Sequence, residues 1–254
     1  MRRALLLLCM SQAFAGSPIR VLILTGETDL PYHDWRISTP YLRGVFNNSG
    51  RFDVRVEEEP RGLSMATLAS YDVLVLNYNG PRWGVETEQA VEQFLRSGRG
   101  MIAFHGVSYG PFYGQQLSAP RRMAGEPWSA YAAMMGSTWK LENIGHSARH
   151  VFAVKWVDRE HPISRGLAEV FMADDELYHK MDLRPEAHVL ATALSDPKVR
   201  GTGRDEPMIW TVPFGRGRVV HMTLGHDLKA MSQQGFIDAL VRGTEWAATG
   251  EVRK

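Results

Sequence analysis

Residues 100–110 read GMIAFHGVSYG. Met101 to Phe104 is a short apolar run that stops abruptly at His105 and Gly106. The run predicts a buried strand, and the aromatic and glycine residues after it predict a loop. A buried strand closed by a functional residue and a glycine is how many α/β enzymes present a nucleophile at a sheet edge. Here the presented residue is an imidazole, neither serine nor cysteine.

The flanking sequence supplies the sheet. Ile19 to Thr25 and Tyr71 to Asn77 are β-branched and apolar runs, as expected for buried parallel strands, and Phe52 to Val56 alternates like a strand. Helical spacing falls between them, over Pro40 to Asn48, Ser64 to Ser70 and Thr87 to Arg96. The order β-α-β-α-β-α-β with short connections predicts a parallel sheet with helices on both faces. From Ser108 to Ile144 the pattern loosens into a long covering loop, with a helix expected near Trp128 to Met135. Strands are expected at 150–157, His188 to Ala193 and Met208 to Val212. The turn Gly215-Arg216-Gly217 leads into a last strand, Arg218 to Leu224, and Phe236 to Ala247 reads as a closing amphipathic helix. These later strands form an inserted antiparallel section. No repeat, low-complexity segment or linker interrupts residues 16–254, which read as a single domain.

A chain of 254 residues with 44% hydrophobic and 22% charged residues has the make-up of a globular protein with a sizeable core. The formal net charge of +1 offers no electrostatic case for nucleic acid or an anionic membrane as partner. Met1-Arg2-Arg3, the apolar run Ala4 to Met10 and Ala13-Phe14-Ala15 together read as a signal peptide over residues 1–15, cleaved before Gly16. That predicts a periplasmic or secreted protein with no membrane attachment after cleavage. Cys9 is the only cysteine and would leave with the signal. The mature chain would then have no disulfide, thiolate ligand or cysteine nucleophile.

Nine histidines carry the chemistry that remains. His33 follows the first strand, His105 the fourth and His226 the last, so all three should meet at the carboxyl edge of the sheet, where open α/β folds bind ligands. Neutral imidazoles and carboxylates in one pocket bind a divalent metal or act as general acid and base. The bland reading is that a strand-ending histidine bonds neighbouring loops. Asp174-Asp175-Glu176 is either a solvated turn or a source of a catalytic carboxylate, for which Glu176, beside Tyr178 and His179, is the candidate. His146 and His150 could line the covering loop. His161, ahead of Pro162, fits a turn cap, and His188 and His221 fit structural roles within strands. Aromatics near the same edge (Tyr32, Trp35, Tyr78, Trp83, Tyr109, Phe112 and Tyr113) either stack on sugar rings or pack as core and lid. No phosphate-binding GxxxxGK[ST] and no GxGxxG follows the first strand, so no nucleotide cofactor is expected.

The series PYHDW with TPYL, then FHG, HPI..GL, DELY and the terminal G.GRV...TLGHD resembles the trehalose-utilisation (ThuA-like) family from Arg20 to Trp246. The resemblance implies a flavodoxin-like fold similar to class I glutamine amidotransferases. In that superfamily the strand-ending turn carries a cysteine, with a histidine and a glutamate later. This sequence has His105 in the cysteine's place and His226-Asp227 near the later pair, so thioester chemistry has no nucleophile. The resemblance implies carbohydrate catabolism, with a disaccharide or keto-glycoside as substrate. The expected catalytic residues are His105, Glu176 and His226. Substrate contacts are expected from His33, Trp35, Asn79, Tyr109 and Tyr178. His33, His105 and His226 are the candidate ligands for zinc or manganese. The rival expectation is a non-catalytic sugar-binding or accessory protein that uses the same side chains for recognition.

Overall fold

The computed structural model describes residues 17–27, 33–116, 122–142 and 144–253. The expected signal peptide and Tyr32 lie outside them.

The first half alternates strands and helices: β1 (Ile19–Leu24), α1 (Trp35–Asn48), β2 (Phe52–Glu57), α2 (Met65–Leu68), β3 (Val73–Leu76), α3 (Val85–Arg96) and β4 (Gly100–Phe104). Side chains of these strands alternate between two cores. Val21 and Ile23 of β1, Val73 and Val75 of β3, and Ile102 and Phe104 of β4 enter one core. Leu22, Leu24, Leu74, Leu76, Met101 and Ala103 enter the other. A strand that is apolar on both faces must be covered on both. Leu68 of α2 and Phe94 and Leu95 of α3 cover one side. Leu42 and Phe46 of α1 cover the opposite side.

The second half runs α4 (Tyr131–Met135), β5 (Ser137–Thr138), β6 (Gly145–His146), β7 (His150–Trp156), β8 (Val170–Asp175), β9 (Tyr178–His179), β10 (Asp182–Leu183), β11 (His188–Leu194), β12 (Asp205–Phe214), β13 (Gly217–Met222), α5 (Leu228–Met231) and α6 (Gln234–Thr249). Nine strands share one sheet in the order β2-β1-β3-β4-β13-β12-β11-β7-β8. The first five are parallel. The last four pair antiparallel and lengthen the same sheet. The parallel half has the flavodoxin-like order, with ligands expected where β1 and β3 send their connections to opposite sides. The short pairs β5–β10 and β6–β9 stand apart from this sheet, and the second sets His146 beside Tyr178.

Three elements differ from the sequence reading. Helix α1 starts at Trp35, five residues earlier than Pro40, because Asp34 caps it by accepting from Arg36 N–H at 2.9 Å. Val170–Asp175 is a strand, β8, and takes in Asp174 and Asp175, for which a solvated turn was one of the two readings. Tyr78, Trp83, Phe112 and Tyr113 are buried, and with Trp128 and Tyr131 they form one aromatic cluster. Of the two readings left open for them, packing is the one observed.

Candidate active site

His105 closes β4 with φ +46°, a left-handed conformation that costs an L-residue about 1–2 kcal/mol. The turn thus has the strained form used to present a functional group. Gly106 follows because nothing larger fits. A Cβ there would lie 2.8 Å from His33 Nδ1 and 3.0 Å from Asn79 Nδ2. Asn79, after β3, donates through Nδ2 to Gly106 O and fastens the turn. His33 precedes the α1 cap. His226 follows β13 on a turn whose Gly225 has φ +108°.

Asp175 ties two of these segments together. Its buried carboxylate accepts from Glu176 N at 2.8 Å, Gly225 N at 2.6 Å and His226 N at 3.3 Å. The end of β8 and the turn after β13 therefore share one anchor. Burial raises the Asp175 carboxyl to about 7 despite those three donors. Sequence reasoning passed over Asp175 for its neighbour Glu176. A signal was present only in retrospect: the period-2 burial of β8 points it inward.

Three imidazole nitrogens converge. His105 Nε2 and His226 Nδ1 are 3.0 Å apart, and His33 Nε2 and His226 Nδ1 are 3.3 Å apart. The three groups lie within 4.8 Å of one another. Glu176 Oε2 is 3.4 Å from His226 Nδ1, 3.4 Å from His146 Nδ1 and 4.0 Å from His105 Nε2. Tyr178 OH is 3.0 Å from His105 Nε2. Protonation follows from these contacts. His105 Nδ1 lies 2.8 Å from Thr223 O, which only accepts, so Nδ1 carries the hydrogen and Nε2 a lone pair. Burial holds His105 well below its ordinary range and lowers His33 to about 3, each reinforced by neighbouring histidines. Burial also lowers His226, partly offset by Glu176 and Asp227. The cluster is neutral near pH 7.

Two cavities meet at this cluster, and His33 and His226 line both. One, of about 310 Å³, has an apolar floor that includes Phe104, Val107 and Met231, with Trp35 and Asn79 on its wall. Asn79 Oδ1 is buried there with no hydrogen-bond partner among the described residues, so a hydroxyl in the cavity would satisfy it. One face of Trp35 is taken by the Arg36 guanidinium, 4.6 Å from the ring centre. The second cavity, of about 290 Å³, is lined by Tyr109, Trp139, His146, Glu176 and Tyr178 besides the two histidines. The eight expected site residues are thus all in or beside one bipartite pocket. His146 joins them, as does Trp139, which carried no sequence signal.

The other histidines are elsewhere. His161 Nδ1 accepts from Ile163 N at 3.2 Å, a turn cap. His221 is buried against Trp210 and bonds Ser108 Oγ at 2.8 Å. His188 is exposed and pairs with Asp158 at 3.0 Å. His150 bonds Ala148 O at 2.8 Å. His179 alternates away from Tyr178 in β9 and packs on Gly145.

The trehalose-utilisation model, ThuA, matches residues 20–247. The chain belongs to this family. A ThuA-like protein from Parabacteroides merdae superposes with a TM-score of 0.78 at 29% identity, covering 93% of this chain and 92% of that one. A ThuA-like protein from Bacteroides uniformis gives 0.71 at 16% identity, with 92% and 95% covered. The same fold makes up part of a β-galactosidase from Rahnella sp. R3, at a TM-score of 0.55 and 14% identity, covering 92% of this chain and 32% of that one. Comparison with curated proteins returns no significant match.

The donor set fits a divalent cation. Nitrogens bound to one ion at about 2.0–2.1 Å sit about 2.9–3.4 Å apart in octahedral or tetrahedral geometry. The observed 3.0 and 3.3 Å separations match those edges. A cation placed among them would be held by the nitrogens of His33, His105 and His226.

Proposed function

We propose that this ThuA-family chain is a periplasmic or secreted enzyme of carbohydrate catabolism that acts on a keto-glycoside. His33, His105 and His226 would hold a divalent cation, zinc or manganese, which supplies Lewis acidity toward a carbonyl oxygen. The observation that carries this reading is the convergence of three neutral imidazole nitrogens at 3.0–3.3 Å with a carboxylate 3.4 Å away.

Residue roles follow from access. The His105 lone pair points into the cluster and its side chain is 1% exposed, so it suits a ligand better than a base. Glu176 is 20% exposed and faces the smaller cavity, so it suits the general base. It would take the proton from the carbon beside a sugar ketone, and the C–H electron pair would move to the carbonyl oxygen as an enediolate. Collapse of that enediolate expels the group on the carbon beyond, or reprotonation at the former carbonyl carbon moves the ketone and isomerises the sugar. His146 orients the Glu176 carboxylate. Trp139 and Tyr109 offer aromatic faces to the sugar ring.

The test pairs metal analysis of purified protein with turnover of 3-keto-glycosides by His105→Ala and Glu176→Gln. Stoichiometric cation in the wild type, lost in His105→Ala but kept in Glu176→Gln, with turnover lost in both, supports the reading. Unchanged turnover in His105→Ala overturns it. Sugar-induced thermal stabilisation without turnover identifies a binding protein instead.

A further inference from the structure

His105 Nε2 has one lone pair, for which Tyr178 OH, His226 Nδ1 at 3.0 Å and a bound cation would compete. Its Nδ1–H is committed to Thr223 O, so the neutral ring can only accept at Nε2. Tyr178 OH donates to that nitrogen at 3.0 Å. The same lone pair is the one a cation at the three-histidine cluster would take. Both cannot use it at once.

Resting on the function proposed above, we propose that Tyr178 is a hydrogen-bond switch. It caps His105 while the cluster is empty. When a cation takes the Nε2 lone pair, it turns its hydroxyl hydrogen to a substrate oxygen in the smaller cavity.

The geometry limits where that hydroxyl goes. The Tyr178 ring is buried, 4.5 Å from the His105 ring and 5.6 Å from Trp139. Its backbone is held in β9 opposite His146. The ring therefore stays, and only the O–H bond rotates. A new acceptor must lie within about 3 Å of the same oxygen. Tyr178 lines the cavity shared with Tyr109, Trp139, His146 and Glu176, and is not on the wall of the larger one. The substrate carbonyl thus approaches from the Glu176 side. The donor and the base face one cavity, as proton abstraction beside a carbonyl requires: the base takes the carbon-bound proton while the phenol donates to the oxygen that gains charge. The larger, apolar cavity is left for the remainder of the glycoside, with Asn79 Oδ1 accepting from a hydroxyl on it.

The experiment compares the wild-type full chain with Tyr178→Phe, which keeps the ring and removes the donor. Zinc and manganese binding are measured by calorimetry, and keto-glycoside kinetics alongside. Expected are a cation affinity unchanged or raised by up to about fivefold, because one donor fewer competes for Nε2, a kcat reduced about 100-fold or more, and a KM within about threefold. A tenfold or greater loss of cation affinity overturns the switch, since Tyr178 would then support or join the ligand set. A kcat within twofold of wild type overturns it as well. A wild type that takes up no cation overturns the metal reading and the switch together. A wild type that loads and turns over, with Tyr178→Phe indistinguishable from it, overturns the switch alone. If the wild type loads without turning over any keto-glycoside, the affinity comparison decides: a gain supports the switch and a tenfold loss overturns it.

Discussion

At His105 a left-handed backbone, an imidazole and a following glycine are forced on one another. The φ of +46° turns the ring to the sheet edge, and Gly106 leaves the space that His33 fills. Two substitutions separate backbone from chemistry. His105→Gly removes the ring and relieves the left-handed strain, while His105→Ala removes the ring and keeps the strain. Both should lose cation binding and turnover, yet in urea unfolding the glycine variant should be the more stable by about 1 kcal/mol. Equal stabilities would show that the turn stores no strain. Asp175 is the second decisive residue, although it touches neither cavity. Its carboxylate accepts Gly225 N–H at 2.6 Å and His226 N–H at 3.3 Å. Asp175→Asn replaces one acceptor oxygen with an amide that opposes an N–H, so the His226 turn shifts. Cation affinity should fall about 10- to 100-fold in calorimetric titration, the usual cost of losing an outer-sphere partner. Circular dichroism should show the fold intact.

Helix α1 shows how an element sets a side chain. Asp34 caps it and stands next to His33, so the start of the helix fixes the entry of His33 into the cluster. Asp34→Ala should cost about 1 kcal/mol in denaturant unfolding. It should also weaken cation binding, because the cap and the ligand are consecutive; a stability loss with unchanged affinity would separate the two roles. The parallel half was legible in the sequence because its strands are apolar on both faces, and His33, His105 and His226 could be placed at its edge for the same reason. The start of α1 was not, since Pro40 looks like a beginning while the cap lies six residues upstream. Strand β8 was hidden because it ends in Asp174-Asp175, which reads as a solvated turn. In fact Asp174 pairs with Arg149 at 2.9 Å and Lys229 at 2.6 Å, while Asp175 turns inward. Trp139 lies in an irregular segment with no periodicity to betray a cavity wall.

Across the whole molecule, the buried histidines make stability depend on pH. His33 and His221 are lowered to about 3 and His161 to about 4, each chiefly by burial, and His105 and His226 are lowered too. An unfolded histidine titrates at about 6.5, so below that pH the unfolded chain binds protons that the folded chain refuses. Their contribution is fully present above about pH 6.5 and drains as the pH falls toward 4 and 3. Asp175 acts in the opposite sense. Raised to about 7, it favours the folded state below the unfolded carboxylate value and loses that contribution as the pH rises through 7. Asp175 works alone against these imidazoles, so the metal-free protein should lose thermal stability steadily between about pH 6.5 and 4. His221 lies outside the cluster, 2.8 Å from Ser108 and stacked on Trp210, so it provides the control. If burial sets the slope, a cation added at 100 times its dissociation constant should raise stability by about 2.7 kcal/mol at pH 7.5. The gain should hold while the folded imidazoles stay neutral and shrink only toward about pH 4 and below, where protons begin to compete for His33. The acid slope contributed by His221 should persist in the loaded protein. Melting curves with and without zinc across this range test both parts. A cation stabilisation that already falls between about pH 7 and 6, as for exposed imidazoles, would remove the three buried imidazoles from the ligand set.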